Sequence, residues 1–160
     1  MAYFTGRTGA LYLTAAGTGD PTPTGSEKAY KLRDWKLDTT VEMLETTTVD
    51  TAVKEYTPGV SSATGSATLL YYRSEVGETG VQFDQFLSKV MKTTTAGMTE
   101  TDRVGMILRV GNTPTGTDNK DDIAFNAWIT GASLSVSTGE LSSVSLQFSV
   151  DGPFREIINA

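Results

Sequence analysis

Cysteine and histidine are both absent from this sequence of 160 residues. Their absence excludes a disulfide framework, a zinc site built from Cys or His, and any catalytic triad that uses histidine as its base. Basic residues are also scarce, since 13 Lys and Arg stand against 19 Asp and Glu, for a net charge of -6. An acidic chain with no basic patch is not expected to bind nucleic acid tightly.

Long apolar runs are missing as well. The apolar stretch GALYLTAAG near the N-terminus is far shorter than the roughly 18 residues that a membrane span requires. It alternates like a strand, and only Arg7 precedes it, so we do not expect a signal peptide. The sequence predicts a soluble protein that is made and used without export and has no membrane partner.

Threonine, serine and glycine are plentiful, and they suit strands and turns better than helices. The length fits a single domain over residues 1–160. Alternation of apolar and polar side chains predicts strands over 10–15, 29–44, 61–73, 103–110 and 123–137. We therefore expect a mainly β protein, with a β-sandwich or barrel-like domain whose loops cover 16–26, 44–60 and 111–122.

Several residues give this outline more detail. Residues 29–44 predict a half-buried strand, with Trp35, Leu37, Thr39, Val41 and Met43 on one face and Asp34, Lys36, Asp38 and Glu42 on the other. Trp35 and Trp128 are expected in the core. The alternation slips by one residue at Gly131, which predicts a β-bulge. The period changes to that of a helix only at about residues 80–92, the expected flanking α-helix.

The last predicted hairpin has an unusual polar face. Around the turn STGE, one face carries Leu134, Val136, Val144, Leu146, Phe148 and Val150. The other is made almost entirely of small hydroxyl side chains: Ser133, Ser135, Ser137, Ser143, Ser145 and Ser149, with Gln147. Such a face either meets solvent in a β-sandwich, or lines or slides against another surface.

Candidate chemistry in the sequence is weak. GVSSATGS lacks the spacing and the lysine of a phosphate-binding loop. DNKDD lacks the ligand and glycine positions of a calcium loop. The carboxylate pairs Glu42 with Glu45 and Asp121 with Asp122 are expected to be exposed charges. We expect no enzyme activity, no cofactor and no metal.

Four features, in their order along the chain, resemble the major tail tube proteins of tailed bacteriophages. Trp35 precedes a threonine-rich loop, Pro58 with Gly59 opens a strand containing Gly65 and Ser66, one amphipathic helix follows, and Phe148 with Gly152 closes the final hairpin. The resemblance covers nearly the whole chain. It implies a β-sandwich flanked by a helix, copies that form rings of six, and rings that stack into a hollow tube.

Through such a tube DNA passes into the host without specific binding. The resemblance implies further tail proteins as partners, namely the tape measure protein, terminators and a sheath where one is present. It places the protein in the virion tail after assembly in the host cytoplasm. Two alternatives stay open: the inner tube of a contractile injection apparatus, and a monomeric β-sandwich module that binds sugars or a host surface.

Subunit contacts are expected in three places. The long loop 44–60 carries Val49, Val53, Tyr56 and Pro58, which a single domain does not explain. The N-terminal arm 1–8 with Phe4, and the C-terminal arm 151–160 with Phe154 and Ile157, are too irregular for strands and are expected to order against other subunits.

A lumen that conducts DNA should carry hydroxyls and acids with few Lys or Arg, because each exposed basic residue attracts phosphate. Residues 132–150 contain a single charge, Glu140. We therefore expect Asp38 and Glu42 of the second strand, and Ser143, Ser145 and Ser149 of the last one, to face the bore.

Overall fold

The computed structural model describes residues 9–15, 32–70, 87, 88, 90–112 and 120–157. Within these ranges a single antiparallel sheet has the strand order β1-β4-β5-β6-β3-β2. The strands are β1 Ala10–Ala15, β2 Leu32–Glu45, β3 Tyr56–Leu70, β4 Val104–Asn112, β5 Lys120–Ser135 and β6 Ser143–Ile157. The expected mainly β class is confirmed. No helix in this part of the chain is long and apolar enough to cross a membrane.

The edge strands bring the sheet close to closure. β1 and β2 are not paired with each other, yet some of their Cα atoms approach within 8 Å. A flat sheet of six strands would hold its edges about 24 Å apart, because neighbouring strands are about 4.8 Å apart. The sheet is therefore strongly curled, as a barrel-like domain requires.

Two of the predicted loops are shorter than the sequence indicates. β2 continues to Glu45 and β3 begins at Tyr56, so the loop predicted at 44–60 spans only 46–55. Pro58 is tolerated in β3 because β6 pairs with that strand only over Thr64–Leu70, which leaves the proline on a free edge. Likewise, β4 continues to Asn112 and β5 begins at Lys120, so the loop predicted at 111–122 is wrong at both of its ends. Residues 113–119 and the loop predicted at 16–26 lie outside the described residues.

The expected irregular C-terminal arm is wrong as far as residue 157, because β6 extends to Ile157. Asp151 pairs with Asn126, and the ladder resumes where Glu156 pairs with Ala124. In between, the register shifts, and Gly152 adopts a positive φ of 79°, a conformation that favours glycine. Residues 158–160 and the N-terminal arm 1–8, including Phe4, lie outside the described residues.

One face of the sheet carries the main core. Its largest fully buried members are Phe125, Phe148, Leu11, Leu69, Met106, Leu108, Ile129 and Leu146. The rings of Phe125 and Phe148 stack at 5.7 Å, and the ring of Phe154 meets Phe125 edge-on at 5.7 Å. Phe154 therefore packs against the core of its own subunit, whereas the sequence predicts it in a contact with another subunit.

The described end of the predicted helix and one of the two tryptophans contact this core. Leu87 and Val90 pack against it, and the N–H of Met91 donates to the carbonyl oxygen of Leu87 at 2.7 Å. Most of the predicted helix 80–92 lies outside the described residues. Trp35 packs against the core as expected. Trp128 does not, because Phe125, Ala127 and Ile129 occupy the core-facing positions of β5 and leave Trp128 half-buried on the opposite face.

The predicted bulge at Gly131 is confirmed, since the pairing of β5 with β6 shifts between Ile129 and Gly131. A different glycine fixes the packing of the sheet. A Cβ atom on Gly65 would lie 2.4 Å from the Phe148 ring and 2.4 Å from the Lys36 carbonyl oxygen. Phe148 can therefore lie flat across β3 only because Gly65 has no side chain.

We predict that Gly65→Ala destabilises the fold by about 1–3 kcal/mol, because neither the Phe148 ring nor the β2 backbone can give way without repacking the core. Gly131→Ala is the matched control: its Cβ would meet only the flexible end of Gln147, at 3.3 Å. Urea denaturation measures both free energies of unfolding. Equal effects from the two substitutions would contradict this role for Gly65.

A buried polar cluster joins β1, β4 and β5 on the face opposite the main core. Arg109 donates to both carboxylate oxygens of Asp122, at 2.7 and 2.9 Å, and to the Tyr12 hydroxyl at 2.7 Å. Ala10, Ile107 and Ala124 pack around it with Tyr12. The hydrogen bond to Asp122 raises the pKa of Arg109, although burial acts in the opposite direction. The stabilisation from the Arg109 charge is thus fully present at neutral pH and is lost as the pH rises into strong alkali.

We predict that Arg109→Met costs about 3–5 kcal/mol of stability, because it leaves the Asp122 carboxylate buried without its partner. The double variant Arg109→Met with Asp122→Leu should recover most of that loss, since no charge is then buried. Urea denaturation of the two variants and the parent measures this difference. A double variant no more stable than Arg109→Met would show that the ion pair is not what the site depends on.

Candidate functional site: the polar face and the two ends of the sheet

The face of β2, β3, β6 and the end of β5 that points away from the main core is almost entirely polar. We call it the polar face: Asp34, Lys36, Asp38, Thr40 and Glu42 of β2; Ser62, Thr64, Ser66 and Thr68 of β3; Ser143, Ser145, Gln147 and Ser149 of β6; Ser133 and Ser135 of β5. Strand alternation produces it, because the neighbours of these residues in β6, such as Leu146 and Phe148, point into the core.

Pairing across the strands brings the predicted lumen residues together. Asp38 lies opposite Thr64, and Thr64 lies opposite Ser149. In a second row, Asp34 lies opposite Thr68, which lies opposite Ser145. Ser143 closes β6 opposite Leu70, and Glu42 continues the same alternation further along β2. Residues far apart in sequence thus share one surface.

The charges on the polar face are confined to its β2 margin. Three carboxylates, those of Asp34, Asp38 and Glu42, accompany the single cation Lys36. The Lys36 ammonium nitrogen lies 3.1 Å from a carboxylate oxygen of Asp38, so its charge is paired on the surface. Within the described part of the chain, no three acidic side chains cluster closely enough to hold a metal ion. This face presents hydroxyls with a net acidic edge.

The β2–β3 hairpin projects well past the rest of the sheet. Beyond the last pair with β6, residues 56–63 of β3 are bonded only to β2, and at about 3.3 Å per residue they span roughly 25 Å. Its tip is ordered by hydrogen bonds: the N–H of Thr46 donates to the Glu55 carbonyl at 2.9 Å, and Thr51 Oγ1 donates to the Thr48 carbonyl at 2.8 Å.

Apolar side chains on this hairpin are exposed. Val49 is fully exposed, and Val53 and Tyr56 are 75% and 50% exposed. Val41 and Met43 are exposed too, so the prediction of a half-buried strand is wrong for this part of β2. The physical reason is the length of the ribbon, since no other strand of the same sheet reaches far enough to cover it.

An open groove of about 420 Å³ lies at the base of the hairpin. It separates the free edge of β3 from the bulge of β6, and its lining includes Thr39, Val41, Ala63, Val150, Pro153 and Phe154. Sequence reasoning missed it, because it depends on where β6 leaves the ladder. The Gly152-Pro153 pair is the signal that marks this place in the sequence.

The β5–β6 turn forms the opposite end of the sheet. Leu134 shares the face of Val144, as the alternation predicts, but Leu134 and Val136 are 53% and 73% exposed, and Leu141 in the turn is 78% exposed. Leu134 pairs with Val144, which lies opposite Leu69 at the end of β3. Among the described residues, no strand neighbours the turn beyond that pair, which accounts for the exposure of these side chains.

No family model matches the sequence, and neither does any curated protein. Solved structures do match over nearly the whole chain. The PVC sheath/tube terminator of an extracellular contractile injection system aligns with TM-score 0.64 at 13% identity, over 98% of this chain and 99% of that one. The SPP1 tail tube aligns with TM-score 0.62 at 11% identity, over 94% and 77%.

A third match comes from the tail of a gene transfer agent particle, determined by helical refinement with C6 symmetry. It aligns with TM-score 0.56 at 14% identity, over 90% of this chain and 92% of that one. At these identities the likeness establishes the fold. The chain has a tail tube protein fold, as the resemblance in its sequence predicted.

Proposed function

We propose that this protein is a structural subunit of a virion tail tube, in which rings of six copies stack into a hollow conduit that carries DNA into the host. The observation that carries the proposal is the polar face, a broad hydroxyl surface with an acidic margin on a tail tube fold. The C6 symmetry of the gene transfer agent tail supports the ring number. Further tail proteins, among them a tape measure and terminators, would be its partners.

The chemistry of the polar face suits a lumen. DNA presents a dense row of phosphates. A wall rich in free Lys or Arg would neutralise these phosphates, release their counterions and so bind the DNA. Asp38 and Glu42 repel phosphate instead, while Ser143, Ser145 and Ser149 offer only weak neutral contacts. The one cation of this face, Lys36, is paired with Asp38. DNA would therefore pass without specific binding.

The exposed hairpin suits contact between copies. Val49, Val53, Tyr56 and Pro58 lie on a ribbon that its own sheet leaves bare, and long bare ribbons are an aggregation hazard in a monomer. Contact with a neighbouring subunit would cover them. This argues against a monomeric β-sandwich binding module, which gains nothing from such a ribbon.

The inner tube of a contractile injection apparatus is the second candidate. Its support is the likeness to the injection-system terminator, which has the highest TM-score of the three matches described above. Both candidates use the same subunit fold. Isolation of the protein from particles separates them, because a virion tail is joined to a capsid that contains DNA and an injection apparatus is not.

We predict that the purified protein forms rings or tubes at high concentration, visible by electron microscopy. A variant in which Asn-Gly replaces Thr47–Lys54 should stay folded and fail to form long tubes. The hydrogen bond between Thr46 and Glu55 already closes the strands at this point, so a two-residue turn can join them. Dispersed monomers of the parent protein at all concentrations would favour the binding module instead.

Because the chain has no cysteine, a single introduced one reports its own surroundings. We predict that Ser145→Cys in assembled tubes reacts with a small maleimide but not with a bulky polymer-linked one, as a lumen position should. Thr95→Cys, an exposed position on the segment that follows the helix, is the control and should react with both. Reaction of Ser145→Cys with both reagents would place the polar face outside, and reaction with neither would place it in a subunit contact.

A further inference from the structure

We propose that the β2–β3 loop of one copy docks on the β5–β6 turn end of the next copy along the tube, where Arg33 pairs with the loop carboxylates Asp50 and Glu55. The turn end is the surface formed by Leu134, Val136, Leu141 and Arg33. The inference rests on the proposed stacking of rings and adds to it the partner surface and the charges that recognise the loop.

The two surfaces lie at opposite ends of the sheet. Leu70 at the end of β3 pairs with Ser143 beside the β5–β6 turn, whereas Tyr56 at the start of β3 adjoins the loop 46–55. β3 is 15 residues long, which at about 3.3 Å per residue separates the ends by roughly 45 Å or more. One copy therefore cannot bring its own loop to its own turn, but a second copy displaced along the strands can.

Contacts between unlike ends have a consequence for assembly. An interface that joins different surfaces of the same subunit leaves one free surface at each end of any stack, so it can repeat indefinitely. A self-complementary contact would stop at two copies. Head-to-tail docking is thus the type of contact that a growing tube requires.

Both surfaces carry uncovered apolar side chains. On the loop, Val49 and Val53 are each at least three-quarters exposed, and on the turn end Val136 and Leu141 are close to three-quarters exposed or more. All four are aliphatic, and burying such side chains against another copy is favourable because it removes apolar surface from water. In a single copy these side chains stay in contact with water.

The charges of the two surfaces are complementary. At the loop, Lys54 lies 3.7 Å from Glu45, while Asp50 and Glu55 have no ion-pair partner among the described residues. At the turn end, Arg33 is the extra residue of a β-bulge between Leu32 and Asp34, is exposed, and likewise has no ion-pair partner within the described ranges. The bulge turns an additional cation outward where the strand ends.

Charge reversal tests the pairing. Arg33→Glu should shorten tubes at least tenfold in electron micrographs while leaving rings intact, and the loop variant Asp50→Lys with Glu55→Lys should do the same. Combining the three substitutions should restore tube length. Adding Asp38→Lys and Glu42→Lys to Arg33→Glu instead gives the chain the same net charge but places the new cations on the polar face, and it should not restore tube length.

Normal tubes from Arg33→Glu, or rescue by the polar-face reversals, would overturn the docking inference and leave the tube function standing. A parent protein that forms neither rings nor tubes would overturn both. Crosslinking gives a measurement that does not depend on charge: in tubes of Val53→Cys with Leu141→Cys, a short bis-maleimide should produce a ladder of covalent oligomers. Either single variant should give none, and a double variant without a ladder would contradict the contact.

Discussion

The close approach of Phe148 to Gly65 is the constraint on which the organisation of the sheet depends. β6 is the strand that joins the β1–β4–β5 side of the sheet to the β2–β3 hairpin, because it pairs with β5 on one edge and with β3 on the other. Phe148 stacks on Phe125 across the first boundary and covers Gly65 across the second. With Phe148 fixed inward, alternation directs Ser145, Gln147 and Ser149 outward. The position of Phe148 therefore determines both which residues of β6 enter the core and which form the polar face.

Much of this arrangement could be predicted from the sequence because strand alternation is a local signal. The strands around Leu11, Trp35 and Phe148, and the bulge at Gly131, follow from which neighbours are apolar. Other features depend on what each strand meets in space. Val41 and Met43 alternate like core residues but extend past the last strand that could cover them, and Trp128 is excluded from the core by the residues beside it. Alternation of apolar and polar residues along one strand carries no information about which other strands cover it.

The buried polar cluster on the face opposite the main core was the hardest feature to predict. Arg109, Asp122 and Tyr12 come from three different strands, and from the sequence Asp122 was interpreted as an exposed charge. They are buried because pairing of β1 with β4, and of β4 with β5, brings them together with their hydrogen bonds satisfied. The polar face was easier to predict, since a run of alternating serines in one strand is visible without any knowledge of its neighbours.

The same strands thus serve two opposing requirements. Within one copy, the inner halves of β3 and β6 are paired on both edges and buried on one face, which is what a stable sheet needs. Beyond that region, the hairpin and the β5–β6 turn leave apolar side chains exposed at the two ends of the sheet. A protein selected only for monomer stability would shorten both. Their persistence at opposite ends is explained if the stable unit is the stack, in which every bare end but the outermost is covered by another copy.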